Sequence, residues 1–260
     1  MTALSELRVP ARSNKKLQTV IDRINQHVQL QTYWQCSNIV AIDRLGFNDH
    51  GPIHIKIVTN LALKLFRMLT QSDLTSSIEE NYEFTHDDAE VVVVVGACLH
   101  DIGHIVHRTN HEEFSVSLAP PLINELLKGQ YDDAQMAIMT SEILHAIYAH
   151  RTDIEPLTVE AGAIKIADAL DMEHGRARIP YTQGTMSIHA VSAMAIEKVK
   201  ILDGEAKTIC IDIEMSNSAG IYQLDNLLKK KIESSGLEDY FEIRAVISGE
   251  EKKIVKSYQF

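Results

Sequence analysis

The sequence predicts a mainly α-helical protein: a helical bundle over residues 1–183 and a smaller α+β domain over 184–260. Two observations carry this. Up to about Tyr181 the apolar residues recur at helical spacing, and turns fall where Gly and Pro cluster. After PYTQGT (180–185) the pattern changes to short alternating runs, as in TICIDIEM (208–215), with Ile209, Ile211 and Ile213 on one side.

In chain order, residues 17 to 45 carry Leu17, Val20, Ile21, Ile24 and Val28 at helical positions, with no Pro or Gly to interrupt them. GFNDHGP (46–52) reads as a turn, and Pro52 suits the first position of a helix. From Ile53 to Leu69 the residues Ile57, Leu61, Leu65 and Leu69 recur every fourth position. Further helices are expected over 111–119, 121–128, 133–150 and 158–173, with Pro120-Pro121 separating the first two because proline lacks the helical N–H. In the C-terminal domain, strands are expected at 195–202, 208–215, 240–248 and 252–259, with a helix at 221–234. This order suggests a helix packed on an antiparallel sheet. Lys229, Lys230 and Lys231 are expected on the solvated face of that helix.

The run VVVVVGACLHDIGH (91–104) pulls two ways, since β-branched residues favour strands. Thr85-His86-Asp87-Asp88 matches a helix capping pattern, and Asp87, Asp88 and Glu90 place negative charge in the first turn. The stretch from Asp87 to Ile102 is also long for a strand, and a helix there ends naturally at Gly103. A buried helix is therefore expected. Gly96 and Ala97, one turn before His100 and Asp101, would let another helix approach closely.

Composition narrows the function classes. With 45% hydrophobic and 23% charged residues the chain reads as a soluble globular protein. A net charge of −11 and a pI near 5.5 make nucleic acid an unfavoured partner, so a polyanionic substrate needs locally positive chemistry. Three widely spaced cysteines (Cys36, Cys98, Cys210) fit a reduced compartment. No apolar run is long enough for a bilayer, and the N-terminus lacks a secretion signal, so a cytoplasmic protein is expected.

Chemistry is concentrated in a few polar residues set among apolar ones. His54 sits between Ile53 and Ile55, His100-Asp101 ends the valine helix, and Asp168 lies between Ala167 and Ala169. Unpaired buried carboxylates are costly, which favours a divalent metal held by these four donors. The ordered set His54, His100-Asp101, Asp168, within HGPIH, CLHDIGH and KIADALD, resembles the H…HD…D signature of the HD superfamily of metal-dependent phosphohydrolases. The likeness spans roughly residues 30 to 180.

That resemblance implies one metal on His54, His100, Asp101 and Asp168, in an HD-type helical bundle. It also implies a second metal in some members, for which His111 and His150 occupy matching stretches and Asp101 would bridge. His104, His107 and His145 are alternatives. The implied cofactor is one or two divalent ions (Mn, Fe, Zn, Ni or Co, with Mg as a further choice). The implied reaction is hydrolysis of a phosphoester, a nucleotide or other small phosphorylated metabolite, by metal-bound hydroxide. Asp101 and Lys165 are the catalytic candidates; Lys165 would meet a phosphate or pair with a carboxylate. Arg176, Arg178, His104 and Asp49 are the substrate-binding candidates. Arg176 and Arg178 suit a phosphate clamp or an interface salt bridge, and Asp49, with His50, a water contact or a helix cap. A homodimer is expected, and the C-terminal sheet could dimerise through an exposed edge, cover the active site or bind a regulator. Two other readings stay open: a di-iron oxygenase of the same superfamily, and a metal- and nucleotide-binding regulatory module without turnover.

Overall fold

The N-terminal helices follow from capping side chains and apolar stripes. The computed structural model describes residues 6–72, 74–173 and 188–248. In α1 (Lys15–Gln26) the Asn14 side chain accepts the Leu17 N–H at 2.9 Å, and Leu17, Val20, Ile21 and Ile24 are buried. The helical stretch expected over 17–45 is interrupted at His27. Its backbone is extended (φ −81°, ψ 90°), and its ring accepts the Leu30 N–H to begin α2 (Val28–Asn38). Val28 is exposed as a result. A π-type turn, Ile39–Arg44, continues α2, and the Trp34 indole donates to the Cys98 carbonyl at 2.9 Å.

Helix α3 (Pro52–Gln71) starts at Pro52 as the sequence predicts and buries Ile55, Val58, Ala62, Leu65, Phe66 and Leu69. The short α4 (Ser77–Asn81) leads to α5 (His86–Leu99), which contains the five valines. Its start is the expected capping box: the Asp88 carboxylate accepts the Thr85 N–H at 3.0 Å and the Thr85 hydroxyl at 2.7 Å. Lys16 and Tyr131 donate to the same carboxylate at 2.6 and 2.8 Å, which accounts for its burial. From Asp88 to Leu99 every residue of α5 is buried, so packing on all sides overrides the β-propensity of valine.

A 3₁₀ turn, Ile102–Ile105, links α5 to α6 (His111–Leu127). Pro120 and Pro121 lie inside α6 and do not divide it. Both remove an N–H from the helical ladder. Burial of Ala119, Leu122, Ile123 and Leu126 on one face carries the helix through them. Next come α7 (Asp133–Ala149) and α8 (Val159–Leu170), capped by Asp132 and Thr158. Helix α5 is the axis of the bundle, flanked by α1, α3, α7 and α8. A Cβ on Gly96 would lie 2.8 Å from Ile164 Cδ1 and 3.4 Å from Ala146 Cβ, so this small residue is what lets α7 and α8 close on α5.

The second unit comprises α9 (Ile188–Met194), β1 (Ile196–Asp203), β2 (Ile209–Met215), α10 (residues 220–233, with a π-type middle turn Leu224–Lys229) and β3 (Phe241–Ile247). The sheet order is β1-β2-β3, with β2 largely buried. The expected all-antiparallel sheet is corrected here. β1 pairs antiparallel with β2, whereas β3 pairs parallel with it from Ile209↔Phe241 to Met215↔Ile247. A helix between two adjacent strands makes a crossover, which returns the chain in the same direction. The strand expected at 252–259 and the domain border near 183 fall outside the described residues. One apolar core runs from the bundle into this unit, through Ile209, Ile211, Leu228 and Leu237. No described helix is long and apolar enough to cross a membrane, and the three cysteines are unpaired thiols.

Candidate metal centre

Six histidines and Asp168, drawn from α3, α6, α8 and the segments that follow α5 and α7 or precede α3, gather around Asp101. Asp101 follows the last turn of α5 and is buried to 2% exposure. Its Oδ2 faces His54 Nε2 at 3.3 Å and His100 Nε2 at 3.4 Å. Its Oδ1 faces His111 Nε2 at 3.2 Å, and His150 and His104 Nε2 at 3.7 Å each. Asp168 closes the first group, with Oδ1 3.4 Å from His54 Nε2 and 3.9 Å from His100 Nε2. The candidates His54, His100, Asp101, Asp168, His111 and His150 are thus brought together.

The outward ring nitrogens decide what the inward ones can do. His100, His111 and His150 place Nδ1 on the carbonyls of Ala97 (2.8 Å), Arg108 (2.9 Å) and Ile147 (2.5 Å). A carbonyl only accepts, so each Nδ1 carries the hydrogen, and in the neutral form of the ring Nε2 is a lone pair. His54 does the same through Asp171 Oδ2 at 2.6 Å. Yet His54 and His100 turn their Nε2 atoms toward each other at 3.3 Å, as do His111 and His150. Two lone pairs that close repel unless a cation lies between them. Among the described residues, ligand atoms within 4.8 Å of one another form groups that could hold a metal ion, including His54-His100-Asp168 and His100-Asp101-His150. The donor set fits a divalent ion, with the Nδ1 partners as its supporting shell.

Electrostatics agree at His100 and His150, whereas at His111 burial is outweighed by the Asp101 hydrogen bond, which raises its pKa. Burial pushes the His100 pKa down and the His150 pKa well below the usual range, so both rings are neutral, as ligation requires. Burial alone would raise Asp168, but the Lys231 ammonium holds it well below the usual carboxylate range. His104 is fully buried, and among the described residues neither of its ring nitrogens has a hydrogen-bond partner. Burial brings its pKa down to about 4.

These donors belong to a recognisable pattern. Residues 53–173 match the HD domain family. Over 231 residues the chain is 40% identical to the uncharacterized protein MJ1020 of Methanocaldococcus jannaschii, covering 89% of each chain. The chain belongs to the HD-domain family. Its HD dyad is His100-Asp101, and the family is one of metal-dependent phosphohydrolases, which agrees with the metal-holding cluster found in the fold.

Other residues of this HD domain fall differently from the sequence reading. Lys165 Nζ donates to the carbonyls of Ile154 (2.6 Å), Ser234 (3.1 Å) and Thr152 (3.4 Å), in place of the phosphate or carboxylate expected for it. Burial and then Lys231 bring its pKa down to about 8. Asp49 accepts the N–H groups of Gly51 (2.9 Å) and His54 (3.4 Å), the capping role among its two expected ones. His107 accepts from Thr109 N and His145 from Leu157 N, and neither enters a metal-holding group. Arg176 and Arg178 lie outside the described residues.

Three residues were not singled out for the cluster. His50 Nδ1 lies 2.7 Å from Asp101 Oδ2, and its ring stacks on His104 at 4.3 Å. Asp171 supports His54. Lys231, expected in solvent, is 5% exposed and bonds Asp168 Oδ2. His50 is the first residue of HGPIH, and Asp171 is the last of KIADALD, three after Asp168, so membership of the motifs was the available signal for both. Lys231 carried none.

Proposed function

We propose that this chain hydrolyses a phosphoester of a small metabolite, with nucleotides the first class to test, at a centre of two divalent ions. The observation that carries this reading is the paired arrangement of facing Nε2 atoms, His54 with His100 and His111 with His150, on opposite oxygens of Asp101. In this reading His54, His100, Asp168 and Asp101 would hold one ion, and His111, His150 and Asp101 would hold the other. Residues 1–183 form the catalytic domain, and 184–260 a second unit docked on it.

When bound, such ions acidify water and screen the charge on phosphoryl oxygens. The protein's own groups do the remaining work. Asp101 keeps both halves of the centre in register, because one rigid carboxylate addresses both. His104, neutral and without a partner at either nitrogen, offers one donor and one acceptor to a bound substrate. His50 lies against the same carboxylate and restrains the His104 ring by stacking. Imidazole and carboxylate donors favour Mn, Fe, Co, Ni or Zn over Mg.

Metal analysis of the purified protein, followed by phosphate release from nucleotides and sugar phosphates with each ion, tests the proposal. The expected result is about two bound ions and phosphate release that Asp101→Ala abolishes. Silence across the substrates overturns it, as does oxygen uptake by an iron form without phosphate release, which would indicate the oxygenase chemistry of the superfamily.

A further inference from the structure

Two buried lysines cross between α8 and α10 in opposite directions. From α8, Lys165 Nζ reaches the Ser234 carbonyl at the end of α10, at 3.1 Å. From α10, Lys231 Nζ reaches Asp168 Oδ2 on α8. The surfaces meet without slack: a Cβ on Gly162 would lie 2.7 Å from Leu237 Cδ1 and 2.9 Å from the Ser235 carbonyl. The Ser234 hydroxyl adds a bond to the Thr152 carbonyl at 3.1 Å.

An ammonium taken out of water is strongly unfavourable unless a partner offsets the loss of hydration. Of three consecutive lysines, Lys229 and Lys230 stay exposed while Lys231 turns inward onto a carboxylate of the cluster. Asp168 is thereby divided. Its Oδ2 is taken by Lys231, and its Oδ1 faces His54 and His100. A carboxylate gripped at one oxygen cannot rotate freely to present the other edge, so the ammonium determines which oxygen is offered to an ion.

We propose that Lys231 is a positioning residue for the metal centre, which couples docking of residues 220–237 to metal binding. This rests on reading the cluster as a metal centre. Groups that orient a ligand change metal affinity by about 10–100-fold. The unit outside the HD domain is then a working part of the site, and an ion bound at His54 and Asp168 tightens α10 against α8.

Two measurements on the full chain test this. Titration of the metal-free protein with Mn²⁺ is expected to show at least tenfold weaker binding for Lys231→Met, with Lys231→Arg restoring most of the loss. Hydrogen exchange of the unaltered protein is expected to slow over residues 220–237 when Mn²⁺ is added, and this arm needs no variant to fold. Unchanged or tighter Mn²⁺ binding by Lys231→Met overturns the proposal, as does exchange in 220–237 that ignores Mn²⁺. If the unaltered chain binds no Mn²⁺, the metal-centre reading fails and this inference with it. If it binds Mn²⁺ with the expected coupling yet releases no phosphate, the inference stands and the hydrolase reading fails.

Discussion

Asp171 accepts the Nδ1–H of His54 at 2.6 Å across 117 positions of sequence, tying the end of α8 to the first turn of α3. This contact sets the tautomer of His54 and aims its Nε2 at Asp101 and Asp168. Asp171→Ala is therefore expected to lower Mn²⁺ affinity by about 10–100-fold while leaving the far-ultraviolet circular dichroism unchanged. Calorimetric titration of the metal-free variant checks it, and affinity equal to that of the unaltered protein would show that the contact does not orient the ligand.

Gly103 lies against the first turn of α6. Its N–H donates to Ser115 Oγ at 2.8 Å, and a Cβ there would lie 2.0 Å from the His111 carbonyl and 2.6 Å from Ser115 N. Backbone cannot yield as a flexible side chain does, so Gly103→Ala must push His111 away from Asp101. We expect a stability loss of about 1–3 kcal/mol and one bound ion in place of two. Thermal melting together with metal counting reads both, and a variant that keeps two ions and its melting temperature would contradict the packing argument.

Lys165 is fully buried on three carbonyls and bonds none of the cluster's ligands. Lys165→Met leaves those carbonyls without their donor, which costs about 1–3 kcal/mol. Denaturant unfolding is expected to show that loss, with any phosphate-release kcat within a few-fold of that of the unaltered protein. A collapse of kcat at unchanged stability would return Lys165 to the chemistry.

Part of the acid sensitivity should trace to Asp88. Burial works to raise its pKa, but the Lys16, Thr85 and Tyr131 hydrogen bonds outweigh it and hold the value below the ordinary 3.8. The folded state therefore binds this proton less readily than the unfolded chain. The stabilisation is present above about pH 4 and is lost as pH falls through the folded value. Asp88→Asn is expected to cost about 1–2 kcal/mol at pH 7 and less at pH 3. Melting curves at the two pH values make the comparison, and an equal loss at both would remove the charge from the explanation.

Much of this protein was legible in its sequence alone. The capping residues Thr85 and Asp88 and the length of the apolar run identify α5 as a helix, because capping and first-turn charge act within one turn of the chain. The order His54, His100-Asp101, Asp168 marks the cluster, because polar side chains confined to apolar helices need a common partner. Only the tertiary structure decided the rest. Burial carries α6 through Pro120 and Pro121, and the crossover α10 lays β3 parallel to β2. Lys231 reaches Asp168 from 63 positions away. Periodicity reports which side of an element is buried, but the partner that a buried polar atom meets depends on how distant elements pack.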